Sequence, residues 1–376
     1  MSPPSTTTIP RTQPRVLLVN DDGPPAPNSP HILGLYKKLK SLGWKVSVVL
    51  PSSQKSWGSM QFSIQNNVSY WYYYPIEGNH TGSHPDTEKC WSPVRRPIDA
   101  SRGEMDEWVL LDGSPTTCTN VGLFNYETLF GGLESGAEMN ADAAAPTPFD
   151  LVISGPNFGR NTGAAFVLSS GTVGAAMAGS LSGVRSVAIS YGLFAINPPT
   201  LAEGPEAKGK ALEGAALRDV VGLAHDLSAQ MVQKLWNDWE LNGSKVPCYS
   251  INVPLCEVLK EPKICWTRLW ESRYGQLFSP SPIADGSPEP LPRTAPEPST
   301  CLKFAPNMVH LLRPKSLEPG TDVWALQNGW VSVTGLKPNY AMVEASEQAG
   351  EEKKADASPA AGGGWEEVEQ ICRVRL

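Results

Sequence analysis

The sequence has little of what most soft-metal or redox sites need. Five histidines in 376 residues give no basis for a His-rich metal site. The seven cysteines are odd in number, scattered, and never spaced C-x-x-C, which argues against a disulfide framework and a zinc site and for a reducing compartment. No apolar run approaches the roughly 18 residues that a bilayer span requires. The opening Met1 to Pro14 is polar and lacks an apolar signal core, so a cytoplasmic location is expected. There is no G-x-x-x-x-G-K-[ST] loop and no spaced G-x-G-x-x-G, so a standard NTPase or dinucleotide site has no support. The net charge of -7 argues against bulk attraction to nucleic acid or anionic membrane, while leaving room for one local phosphate pocket. Any metal bound here is expected to sit on oxygen.

Glycine and proline are abundant, 34 and 35 respectively, which predicts long loops. Between the loops runs a regular grammar. Arg15 to Val19 is a short apolar strand that stops at Asn20-Asp21-Asp22-Gly23. Ile32, Leu35, Tyr36, Leu39 and Leu42 recur at helical spacing, with Gly43 as the stop. Val46 to Leu50 is a second strand closed by Pro51. Strand, helix and strand make a βαβ unit and imply a parallel sheet. Further strands are predicted at Trp108 to Leu111, Leu151 to Ser154, Ser186 to Ser190 and Tyr249 to Val253. Helices are predicted over the small, alanine-rich 171–181 and over 211–241. The fold class that follows is α/β: a three-layer, Rossmann-like, mostly parallel sheet flanked by helices, with a C-terminal extension of strands. The expected organisation is a disordered 1–14, one domain over 15–336, and a partly disordered extension over 337–376. Within the domain, 66–105 reads as an aromatic, extended insertion and 279–300 as a mobile Pro/Ser/Glu-rich loop.

In such sheets ligands bind beyond the carboxyl ends of the strands. Four polar turns fall at those ends: Asn20 to Gly23, Pro51 to Gly58, Gly113-Ser114-Pro115, and Ser154-Gly155-Pro156-Asn157. Adjacent aspartates repel each other unless a cation lies between them. Mg²⁺ and Mn²⁺ favour carboxylate, amide and hydroxyl oxygens, which Asp21, Asp22, Asn157 and a serine of the second loop would supply. Ser52, Ser53 and Ser56 are equal candidates on composition. The plainer reading is that Asp-Asp-Gly is only a turn. Downstream, Ser170-Gly171-Thr172 opens a helix whose exposed amides attract an anion. The plainer reading there is N-capping by Ser169 or Ser170.

Taken together the segments resemble the SurE family of phosphatases and nucleotidases, in its fungal branch. Four blocks match in order: Val16 to Gly23 with Ala26-Pro27; Val48 to Pro51 through Ser56 and Gly58; Asp150 to Asn157 with Gly159, Asn161 and Gly163; and Ser170 to Ala176. Weaker echoes are Gly113-Ser114-Pro115 with Cys118, Ile251 to Pro254, and Asp322 with Val331 to Thr334. The resemblance implies one divalent metal ion, Mg²⁺ or Mn²⁺, on Asp21, Asp22, Ser56 and Asn157. It implies phosphate contacts from Asn161, Ser170, Gly171 and Thr172. Ser169 is the substitute for Ser170, because one residue is inserted before it. Asp21, Asn161, Ser170 and Thr172 carry the expected catalysis, with Asp21 handling a proton or attacking directly. Trp57 stands where the family usually has glycine. The expected activity is hydrolysis of nucleoside monophosphates or related phosphate monoesters by a homodimer or homotetramer. The alternative is a non-catalytic nucleotide- or phosphate-binding module on the same fold. His31 reads as a helix-start residue, Cys118 as a small buried residue, and Trp71 to Tyr74 as a packing strand.

Overall fold

The structure, a computed structural model, describes residues 13–64, 67–131, 139–193, 212–281, 301–306 and 318–340. Strands β1 (Arg15–Val19) and β2 (Lys45–Pro51) flank helix α1 (Ile32–Ser41). Strands β3 (Tyr70–Tyr73), β4 (Trp91–Ser92) and β5 (Trp108–Leu111) follow, then helices α2 (Pro115–Phe124) and α3 (Tyr126–Phe130). Next come β6 (Leu151–Phe158), α4 (Ala164–Ser169), α5 (Gly171–Leu181) and β7 (Arg185–Leu193). The chain continues with α6 (Gly214–Asn242), β8 (Cys248–Leu255), β9 (Ile264–Thr267), β10 (Phe278–Ser281), β11 (Cys301–Phe304), α7 (Asp322–Gln327) and β12 (Val331–Leu336).

Among the described residues ten strands form one sheet in the order β4-β3-β5-β2-β1-β6-β7-β8-β12-β9. The six from β5 to β8 run parallel; β3 pairs antiparallel to β5 and β12 antiparallel to β8. The three-layer α/β expectation is met. Alternation of side chains builds both faces at once. Val16 and Leu18 of β1 point into the core under α1 and α6, while Leu17 and Val19 enter the core under α2 and α5. On the first face α1 and α6 pack together closely enough that a Cβ on Gly34 would lie 2.0 Å from the His225 ring. That approach is what a small residue at a helix crossing permits.

The order reverses between β1 and β6: the chain first builds outward to β2 and β5, then crosses to β6, β7 and β8. The crevice beyond the carboxyl ends of β1 and β6 is therefore the topological switch point.

Several boundaries differ from the sequence reading. Strand β6 runs on to Phe158, so Ser154 to Asn157 lies inside it and not in a terminal turn; the strand absorbs these residues through a register shift between Ser154 and Asn157 against β7. The 66–105 segment is not merely extended: β3 and β4 join the sheet as antiparallel edge strands, and Tyr73 and Tyr74 are buried. Of the loop read at 279–300, residues 279–281 are in β10, paired antiparallel with β11; the rest lies outside the described residues, as do 1–12 and the tail from 341. Helix α2 had no expectation. Its Pro115 start and Ser114 cap mark it in hindsight, the Ser114 Oγ accepting from Thr117 N–H at 3.1 Å.

Candidate active site

The turn after β1 is closed by Asn20, whose side chain accepts from the Gly23 N–H at 2.9 Å and donates to the Gly23 carbonyl at 2.8 Å. Gly23 has φ +87, a conformation a side chain would strain. This turn presents Asp21 and Asp22, each only 3% exposed. Asp21 Oδ1 accepts the Thr172 hydroxyl from the first turn of α5. Asp22 Oδ2 accepts the Phe158 N–H at 2.7 Å, and its Oδ1 accepts Gln54 Nε2 at 3.1 Å. Burial pushes both carboxyls well above the usual carboxylate range, and the charge of Asp21 pushes Asp22 further; hydrogen bonds only partly offset this.

The loop after β2 wraps this turn. Lys55 N–H donates to the Asp21 carbonyl at 2.7 Å, and Ser56, the next residue, is exposed on the same loop. Ser52 N–H is held by the Leu111 carbonyl at 2.7 Å, and Ser53 lies against Gly23. On the other side of the crevice, half-buried Asn157 donates its amide to the Gly159 carbonyl at 2.8 Å. Asn161 is buried: its N–H donates to Asn252 Oδ1 at 2.8 Å, Asn252 Nδ2 donates back to its carbonyl at 3.1 Å, and its own amide donates to Ser190 Oγ at 2.9 Å.

At α5, Ser170 Oγ accepts the Val173 N–H at 3.1 Å, so Ser170 is the N-cap. Gly171 lies so close to Asp21 that a Cβ there would come within 2.9 Å of the Asp21 Cβ. Ser169 is turned away, its hydroxyl donating to the Ala165 carbonyl at 2.7 Å and meeting Tyr274.

No group of three or more His, Cys, Asp or Glu side chains among the described residues would by itself hold a metal. What is gathered is two buried carboxylates with amide and hydroxyl oxygens beside them, and no soft donor takes part. That donor set fits a hard divalent cation, which would also relieve the repulsion between Asp21 and Asp22.

A family model described as "Survival protein SurE" matches residues 16–276. The chain belongs to the SurE family. The 5'-nucleotidase SurE of Dehalococcoides mccartyi is 27% identical over 346 residues, covering 89% of this chain and 95% of that protein. The probable tubulin–tyrosine ligase PBY1 of Saccharomyces cerevisiae is 30% identical over 288 residues, which are 70% of this chain but 32% of the yeast protein. The chain thus spans about a third of that longer relative, whose named activity belongs to it as a whole. The SurE protein of Aquifex aeolicus superposes with a TM-score of 0.51 at 23% identity over 87% of this chain and 95% of that one, a likeness of fold.

On this SurE fold Asp21 meets Gly171 and Thr172 directly, while Asp22, beside it in the turn, is held by Phe158 and Gln54. The loop carrying Ser56 reaches the same turn through Lys55, and Asn157 reaches it through its neighbour Phe158. Asn161 is positioned from β7 and β8. The sequence reading gave no role to Gln54. It saw Asn252 and Asp322 only as weak echoes, yet both fix the loop after β6. Asp322, fully buried, accepts N–H bonds from Gly163 at 2.6 Å and Trp270 at 2.9 Å. A buried-type polar residue inside an apolar strand, as in Ile251-Asn252-Val253, is the signal that marks such a residue. His31 opens α1, buried between Phe158 and Tyr191, and Cys118 is buried. No helix among the described residues is long and apolar enough to cross a membrane.

Proposed function

We propose that the protein is a divalent-cation-dependent phosphomonoesterase that hydrolyses nucleoside monophosphates or closely related phosphate monoesters. The observation that carries this reading is the meeting of Asp21, with Asp22 beside it, and the start of α5 at the switch point. Two carboxylates that burial disfavours face an amide-bearing helix start, an arrangement suited to a cation and a phosphoryl group side by side. Membership of the SurE family and the nucleotidase names of its relatives support the substrate class.

Unaided hydrolysis of phosphate monoesters is so slow that a catalyst supplies on the order of 20 kcal/mol, mostly through charge neutralisation and positioning. A bound Mg²⁺ or Mn²⁺ on Asp21, Asp22, Asn157 and Ser56 would neutralise phosphoryl charge and polarise the P–O bonds. The protein's own groups do the rest. Thr172 fixes the Asp21 carboxylate in one rotamer, aimed past Gly171. Asp21 then either takes the proton of a water that attacks phosphorus as the P–O bond to the alcohol breaks, or attacks phosphorus itself, expelling the alcohol and leaving an aspartyl phosphate that water cleaves to phosphate and free Asp21. The Ser170 hydroxyl and the Gly171 N–H hold the non-bridging oxygens, since the Val173 N–H is taken by Ser170 Oγ. Asn161, its backbone pinned by Asn252 and its amide donating to Ser190 Oγ, would offer its remaining polar capacity to the phosphate. Gln54 and the Phe158 N–H keep Asp22 oriented.

The test is phosphate release from nucleoside monophosphates with Mg²⁺, Mn²⁺ or EDTA, for the wild type and Asp21→Asn. Cation-dependent turnover that disappears in Asp21→Asn is expected. A well-folded, metal-treated protein that releases no phosphate from any ester would point to a binding module instead.

A further inference from the structure

Among the described residues only two non-glycine residues, Trp57 at φ 62 and Ser59 at φ 49, have left-handed backbone, and both lie in the loop after β2. A large aromatic residue rarely takes this conformation, and such outliers persist where surrounding structure over-determines them. Here the clamps are visible. Upstream, Lys55 N–H is bound to the Asp21 carbonyl at 2.7 Å. Downstream, Ser59 N–H donates to the Ser169 carbonyl at 2.9 Å and Ser59 Oγ to the Leu168 carbonyl at 2.7 Å. The Ser59 carbonyl lies over α5, 2.2 Å from where a Cβ on Gly174 would be. Trp57 is therefore strung between the carboxylate turn and the end of α4 that leads into Ser170, the two segments that bracket the proposed phosphate position.

The indole is half-buried and does not close over itself. The Phe304 ring meets it in a T-shaped contact, centroids 4.9 Å apart at 67°, and Phe166 meets it tilted at 5.7 Å and 58°. Phe304 in turn meets Phe278 at 5.6 Å and 73°, and these two remain 45% and 51% exposed. An aromatic wall thus begins one residue from Ser56 and continues outward from the site. An edge-to-face pair engages the face of only one of its two rings, and the indole of Trp57 remains part-exposed beside these neighbours.

We propose that Trp57 is a specificity-determining residue that stacks on the nucleobase of the substrate, selecting phosphate monoesters whose leaving alcohol carries a planar aromatic base. The proposal rests on the phosphomonoesterase reading above. Stacking is sequence-tolerant because every base has a π-face, so the wall selects nucleotides as a class and discriminates weakly among bases. A purely space-filling indole, propping Phe166 and Phe304, would instead affect all esters alike.

Glycine suits φ 62, so Trp57→Gly removes the ring without opposing the backbone. The ratio of kcat/KM for AMP to that for glycerol 2-phosphate is measured in the wild type, Trp57→Gly and Trp57→Phe, alongside AMP affinity by calorimetry. Trp57→Gly is expected to lower the ratio by about tenfold, through KM, and to weaken AMP binding by a similar factor, on the order expected for one base–aromatic stack. Trp57→Phe should keep most of both. Equal losses on the two esters, a gain for AMP, or unaltered AMP affinity in Trp57→Gly would overturn the proposal. If the wild type cleaves neither ester yet Trp57→Gly binds AMP tenfold more weakly, the stacking role stands and the phosphatase reading falls.

Discussion

The hydroxyl of Thr172 donates to Oδ1 of Asp21, joining the start of α5 to the end of β1 across 151 positions of sequence. The bond is buried and favours the charged carboxylate that burial otherwise opposes. Thr172→Val preserves shape and deletes the donor. It should cost about 1–3 kcal/mol in denaturant-midpoint stability, the usual worth of one hydrogen bond to a charged group, the carboxylate keeping its backbone partner at Thr172. Calorimetric titration with Mn²⁺ should show weaker binding in Thr172→Val and near-native binding in Thr172→Ser. Equal affinity in the wild type and the valine variant would remove Thr172 from the support of Asp21.

Gly171 contributes by having no side chain. A Cβ would meet Asp21 Cβ at 2.9 Å, Asp21 Oδ2 at 3.1 Å and Pro115 Cγ at 3.1 Å. Gly171→Ala should therefore displace the carboxylate and lower phosphate release by about tenfold or more, about 1.4 kcal/mol in barrier. A control is Gly222→Ala in α6, where a Cβ meets nothing within 4 Å. That change should raise stability by up to about 1 kcal/mol through helix propensity, with turnover as in the wild type. The check is turnover and thermal midpoint measured together for both variants.

Whereas the strand order, and with it the switch point, depends on long-range pairing that no local run encodes, the parallel sheet was legible because β1, β2 and β5 hold short apolar runs, each followed by a polar turn. The Asp21-Asp22 turn and the start of α5 were legible as motifs for the same reason. What was hidden is what depends on side-chain direction. Composition could not choose among Ser52, Ser53 and Ser56, nor foresee that Ser169 back-bonds to Ala165 while Ser170 caps α5. Gln54 gave no signal, since a glutamine in a polar loop is unremarkable until Asp22 is placed beside it. The β6 boundary was missed because Gly155 and Pro156 read as turn residues, although a bulge accommodates both inside a strand.

Asn252 holds Asn161 by its backbone from both sides, accepting at 2.8 Å and donating at 3.1 Å. It does not reach the carboxylates among the contacts seen, so it acts as a positioning residue. Asn252→Ala should free the loop after β6 and raise KM for a nucleoside monophosphate about tenfold more than it alters affinity for Mn²⁺. Losses in both of the same size would mean that the variant disturbs the sheet and not the loop.

His31 and His225 are buried together beneath the carboxylate turn, ring centroids 6.1 Å apart, with Tyr191 against both. Neither ring nitrogen of His31, nor Nε2 of His225, has a hydrogen-bond partner among the described residues. Burial pushes His31 down to about 4, with the charge of His80 adding to the effect, and His225 down to about 3, with His31, His80 and Lys38 adding to it. The unfolded chain accepts protons from about pH 6.5 downward that the folded chain refuses. Stability from this pair is therefore full above that pH and is lost as the pH falls toward 4. The raised Asp21 and Asp22 act in the opposite sense, stability falling as pH rises, so the histidine effect is read as a difference between proteins. Between pH 7 and pH 5 the wild type should lose about 2 kcal/mol more than His225→Gln, from one proton excluded over that range. The measurement is urea unfolding of both proteins at each pH. Parallel losses in the two would place the acid sensitivity outside the His225 imidazole.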